Sequence, residues 1–154
     1  MEPRLDYPRL APEAARAMYA LGSYLAGSGL EHSLLELVKI RASQINGCAF
    51  CIDMHTKDAR AAGETEQRIY ALNAWRETPF FTERECAALA LTESVTLVHD
   101  GHVPDGVCAA AAEVFDEAQL AALIWAATVI NAYTRIAIAT RMLPGTYQPV
   151  QKKS

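Results

Sequence analysis

Long apolar runs are missing from this chain. The longest stretch without a charge, residues 118–134, contains Gln119, Thr128 and Asn131 and falls short of the roughly 20 apolar residues a membrane span needs. A buried core or subunit-interface helix is expected there instead. The start of the chain has no apolar core of a signal peptide either, because Met1 to Pro8 carries two acids and two prolines. Glycine (8) and proline (7) are few, and no linker, repeat or low-complexity stretch occurs, which excludes fibrous and disordered classes. Basic charge is also short: 14 Lys and Arg against 18 Asp and Glu give a net charge of −4, so no pull toward nucleic acid or anionic membrane is expected. Four cysteines are too few for a disulfide scaffold. Together these absences predict a cytoplasmic protein whose thiols stay reduced unless they are working.

What is abundant is alanine, with 28 residues in 154, and alanine is the best helix former. The length suits one domain, 1–154 with a core of about 10–143, that buries roughly 70% of its unfolded surface. The helical period dominates and predicts an all-α fold. Helices are predicted over about 12–26, 31–45, 48–62, 64–73, 83–98, a short one after Pro104, and 117–142. Asn46-Gly47 and Ala62-Gly63 supply stops, and Thr82 to Glu85 reads as a capping box. Asp116 has the side chain to cap the last helix, Pro144-Gly145 to stop it, and the tail Lys152-Lys153-Ser154 is expected to fray.

The segment with chemical content is Glu36 to His55. Cys48-Ala49-Phe50-Cys51 is a CxxC at a helix start. Residues three apart share a helix face, so the sulfurs can meet, and the electropositive helix N-terminus favours thiolate. His55 follows Cys51 by one turn on the same face, where it can hydrogen-bond Cys51 or relay its proton. If the second and third helices form an antiparallel hairpin about Gly47, Glu36 sits roughly 16 Å down one arm and His55 roughly 12 Å down the other. A carboxylate–imidazole–thiol relay then becomes possible, with Glu36 orienting His55. Two other readings use the same residues: a zinc site of Cys48, Cys51, His55 and Glu36, or simple packing of two small apolar side chains beside an unrelated histidine.

These residues resemble the alkylhydroperoxidase D-like group of the carboxymuconolactone decarboxylase superfamily. The pattern is Glu, eleven residues, Cys-x-x-Cys, three residues, His, and Glu36, Cys48, Cys51 and His55 match it without a gap. Asn46-Gly47, Ala62-Gly63, Ala71 to Glu77 and Phe81 to Ala90 are similar too, and the resemblance covers about residues 10 to 140. It implies an AhpD-like helical bundle built around a hairpin carrying CxxCxxxH, assembled as a homo-oligomer, a trimer or hexamer. The implied activity is thiol-dependent hydroperoxide reduction (peroxiredoxin activity) in antioxidant defence, without a cofactor. By position, Cys51 is then the peroxidatic thiolate, Cys48 the resolving thiol, and Glu36 with His55 the proton relay. The implied electron donor is an external dithiol, a lipoyl-bearing protein in well-studied relatives. One departure is Phe50, which stands where some peroxidase members have a second histidine; it implies a weaker peroxidase activity or a bulkier, more apolar substrate. The decarboxylase branch generally lacks the cysteine pair, so lactone decarboxylation is not implied. A non-enzymatic thiol redox sensor or a zinc-binding protein on the same scaffold is the alternative.

Elsewhere the expectations are structural. Cys86 and Cys108 are expected in the core, His99 and His102 in a solvated turn, His32 at a helix start, Asp53 on a solvated face, and Trp75 and Arg76 at a helix end or subunit contact. Leu120, Leu123, Ile124, Ala127, Ile130 and Tyr133 form a stripe too apolar for a lone surface helix, and Asn131 and Arg135 beside it are expected to pair across a subunit contact.

Overall fold

The computed structural model describes residues 1–149, so the fraying expected at Lys152 to Ser154 falls outside the described residues. Every regular element among them is helical. The order is α1 (Tyr7–Leu10), α2 (Pro12–Ala26), α3 (His32–Asn46), α4 (Ala49–Ala61), α5 (Glu66–Ala71), a 3₁₀ segment (Leu72–Glu77), α6 (Glu83–Thr96), α7 (Asp105–Val114) and α8 (Glu117–Thr140).

The α3–α4 hairpin is set by one residue. Gly47 takes the left-handed conformation, φ 67°, that closes α3. Its N–H donates to the Gln44 carbonyl at 3.2 Å and the Cys48 N–H to the Ser43 carbonyl at 3.0 Å, the two bonds of a Schellman motif. Cys48 is at once the N-cap of α4, its sulfur accepting from the Cys51 N–H at 3.3 Å. Because no spacer separates the two helices, the CxxC is pinned to the hairpin's bend. Gly63 closes α4 the same way, with φ 98°.

Helix α3 is the axis of the packing. Leu34, Leu35 and Val38 face one core with Leu91, Phe115, Leu123 and Ala126. Leu37 and Ile40 face a second core with Leu72, Trp75, Phe81 and Leu89. Cys48, Cys51 and Ala137 form a third, small cluster under Phe50 and Met142. Helix α8 spans 24 residues and, by length and composition, could cross a membrane, which the run of uncharged residues alone did not reveal. Half of its most apolar window is buried inside the protein, as expected of a core helix.

Several expectations change. The helix expected over 64–73 begins later, at Glu66 with Thr65 as its cap, and passes into the 3₁₀ segment. Helix α8 stops at Thr140, before Pro144-Gly145, because Arg141 takes the left-handed cap position with φ 57°. Its last carbonyls are met from the far end of the chain: Arg4 donates through its N–H to Thr140 at 2.8 Å and through its guanidinium to Ala139 at 3.1 Å. Asn131 does not wait for another subunit. It accepts from Asn46 and Arg135 and donates to Thr96 within the chain. Asp53 is more than a solvated residue, since it accepts from Lys57 and from the Gly145 N–H and so holds the C-terminal strap on α4. Cys86 and Cys108 are only partly buried at the edges of the two large cores. Trp75 is structural: its indole N–H donates to Glu93 at 2.9 Å, and Arg76 stacks on its ring.

Candidate active site

The hairpin brings together the four residues singled out by spacing. Glu36 lies on the buried side of α3 and His55 on the facing side of α4. Their contact is direct, Nδ1 of His55 to Oε2 of Glu36 at 2.9 Å, with Glu36 only 2% and His55 7% exposed. Cys48 and Cys51 are bonded as a disulfide, Cα atoms 5.4 Å apart, at the head of α4. Among the described hydrogen bonds, none joins His55 to Cys51 in this oxidised state; the two meet at the wall of a common cavity.

The electrostatics turn on Glu36. Burial pushes its carboxyl upward, but the hydrogen bond and charge of His55, followed by Lys39, outweigh this and hold it at about 2. Lys39 donates from Nζ to Oε1 at 2.8 Å, and His32 approaches the same oxygen at 3.8 Å from its exposed helix-start position. Glu36 is therefore ionised at neutral pH. A fixed anion at Nδ1 holds that side of the imidazole and leaves Nε2 as the atom free to exchange a proton.

The cavity has a volume of about 350 Å³, within the range of small-molecule sites. Cys51, His55 and Lys39 form its polar end. Phe50 and Met54 of α4, Met142 beyond α8, and Tyr7, Tyr19 and Tyr133 supply half of the remaining wall residues. Burial, the charge of Tyr19 and its hydrogen bond push the Tyr7 phenol up to about 12, so it is neutral and available as a hydrogen-bonding group. Cys51 lines the cavity, whereas Cys48 lies behind it and receives the helix N–H.

Three residues missed by the sequence reading complete the surroundings. Lys39, one turn from Glu36, was within reach of helical spacing. Asp58, one turn beyond His55, contributes an oxygen within 4.8 Å of Glu36 and His55 ligand atoms. Tyr147 donates to Asp58 at 2.7 Å, and no local pattern links residues so far apart. Glu36, His55 and Asp58 are close enough to hold a metal ion by distance. Three of their oxygens already accept from Lys39, His55 and Tyr147, and the Cys48 and Cys51 sulfurs are bonded to each other.

The comparisons bear on the family and the fold. The carboxymuconolactone decarboxylase family matches residues 12–94. An uncharacterized protein of Bacillus subtilis (strain 168), YdfG, is 47% identical over 139 residues, covering 90% of this chain and 95% of that protein. A crystal structure from Agrobacterium tumefaciens, of a protein of unknown function with a suggested antioxidant-defence role as AhpD, superposes with a TM-score of 0.91 at 38% identity over 95% of this chain and all of that one. An uncharacterized peroxidase-related protein from Ralstonia eutropha JMP134, described as an alkylhydroperoxidase AhpD core, shares the fold, with a TM-score of 0.79 at 18% identity over 90% of this chain and 74% of that one.

Proposed function

Since the chain belongs to the carboxymuconolactone decarboxylase family and has its AhpD-like fold, we propose that it is a thiol-dependent hydroperoxide reductase. The observation that carries this reading is that His55, paired with the buried Glu36 carboxylate, lines the same apolar cavity as Cys51. In the reduced enzyme the Cys51 thiolate attacks the outer peroxide oxygen. The O–O bond breaks, Cys51 becomes a sulfenic acid, and the alkoxide leaves as alcohol after taking a proton delivered by His55. The Cys48 thiol then attacks the Cys51 sulfur and expels water, giving the disulfide seen here. An external dithiol, oxidised to its own disulfide, returns both cysteines to thiols; a lipoyl-bearing protein is the donor class proposed.

Cys51, and not Cys48, lines the cavity, which supports Cys51 as the attacking sulfur and Cys48 as the resolving one. The helix N–H at the Cys48 sulfur would make it a good leaving group when the disulfide is reduced. Phe50 in the cavity wall favours a peroxide with an apolar body. Ile124, Trp125 and Ile138 remain exposed on α8, which supports assembly into a homo-oligomer, and working thiols suit the cytoplasm.

A second reading, a thiol switch without turnover, draws on burial. Both cysteines are almost inaccessible in the disulfide, so a reductant must enter through the cavity. Peroxide consumption with hydrogen peroxide, an organic hydroperoxide and several dithiols separates the two. Sustained turnover that disappears in Cys51→Ser supports the enzyme. Equal turnover in Cys51→Ser overturns the mechanism, and a reversible disulfide without turnover selects the switch.

A further inference from the structure

Beside the Glu36–His55 pair, α4 carries a C-terminal strap that the proposed cycle does not use. After α8 the chain returns along α4, where Lys57 donates to the Gly145 and Tyr147 carbonyls at 3.3 and 3.1 Å and Asp53 accepts from the Gly145 N–H at 2.9 Å. This anchoring delivers the Tyr147 hydroxyl to Asp58 at 2.7 Å. Asp58 in turn has an oxygen within 4.8 Å of a Glu36 oxygen and a His55 nitrogen. The imidazole therefore has two carboxylates near it, one in contact and one a short step away. Glu36 and His55 are buried, while Asp58 and Tyr147 are half-buried and reach toward solvent.

From this arrangement we infer that Asp58, clamped by Tyr147, is the outer member of the proton relay, a positioning residue that favours the protonated form of His55 and connects it to solvent. The inference rests on the peroxidase reading for its kinetic consequence but not for its electrostatic one. The other charged and titratable groups around His55 are Glu36, Lys39 and His32 on α3, with Cys51 and the phenols of Tyr7, Tyr19 and Tyr133 on the cavity side. Tyr147 is itself pushed up to about 12, by burial first, then by its bond to Asp58 and the charges of Asp58 and Glu36. It stays a donor throughout the working range and holds the Asp58 carboxylate in place. Asp58 is half-buried and reaches solvent, so under water-like screening a unit charge removed at this distance corresponds to about 0.5 to 1 pH unit.

The test is a nuclear magnetic resonance titration of the His55 imidazole in the full chain, alongside the pH profile of peroxide consumption. Removal of an anion destabilises the imidazolium, so Asp58→Asn should lower the His55 midpoint by about 0.5 to 1 pH unit. The pH profile of kcat should move with it, at unchanged KM for peroxide. Tyr147→Phe should give a smaller shift in the same direction, and the double variant should match Asp58→Asn because Tyr147 acts only through Asp58. If Asp58→Asn does not fold, Tyr147→Phe alone decides. A His55 midpoint that stays put in the folded variants overturns the inference, even if peroxide turnover is normal. A shifted midpoint without any turnover upholds the electrostatic coupling and removes the peroxidase reading instead.

Discussion

Replacing Glu36 by glutamine keeps the side chain's shape and removes its charge. The carboxyl sits at about 2, against an ordinary glutamate value of 4.5. At 1.36 kcal/mol per pH unit, the native partners favour the ionised form by about 3 kcal/mol. The group is largely out of water, so solvent screens little of this. The sign follows from linkage. A depressed carboxyl stabilises the fold fully above pH 4.5, and that stabilisation is lost as pH falls through about 2. Glu36→Gln is therefore expected to unfold with about 3 kcal/mol less stability at pH 7, and the gap should shrink to about 1 to 1.5 kcal/mol by pH 3. Urea unfolding of the two proteins at both pH values measures it. A gap below about 1 kcal/mol at pH 7, or one that does not change with pH, would refute a charge-paired Glu36. The same variant should lose about 10²-fold in peroxide reduction, because the imidazole keeps its place but loses its anion.

Further expectations can be checked separately. Gly47→Ala meets no atom within 4 Å but must hold φ 67°, so it should cost about 1 to 2 kcal/mol in thermal or denaturant unfolding without filling any space. Trp125→Asp, at a 48% exposed position on α8, should lower the native mass measured by light scattering if that face joins copies, and leave it unchanged if it does not. Purified reduced protein should carry less than stoichiometric zinc by elemental analysis; one zinc per chain would support the Cys48, Cys51, His55 and Glu36 site instead.

Much of this fold was legible because its signals are local. Gly47 and Gly63 mark the ends of α3 and α4, and Thr82 with Glu85 caps α6, all through contacts within a few residues. The Glu36–His55 contact also followed from local geometry, because a one-residue bend fixes the register of the hairpin. What escaped depends on distant segments. Arg4 at the end of α8, the cavity tyrosines from three helices and Tyr147 on Asp58 are tertiary meetings that no spacing encodes. Asn131 shows the limit from the other side: its need for partners was visible, but their location inside the chain, at Asn46 and Thr96, was not. The end of α8 was misplaced for a related reason. Arg141 adopts a conformation usually left to glycine, and Arg4 satisfies the freed carbonyls.

The central claim is that peroxide oxidises Cys51 and that Cys48 then resolves it. Cys48→Ser, treated with one equivalent of an organic hydroperoxide and then with a sulfenic-acid trap, tests it most directly by peptide mass spectrometry. The account predicts the trapped adduct on Cys51, abolished when Glu36 and His55 are also replaced. An adduct on Cys86 or Cys108 alone, or a Cys51 left unmodified while wild type consumes peroxide, would contradict it.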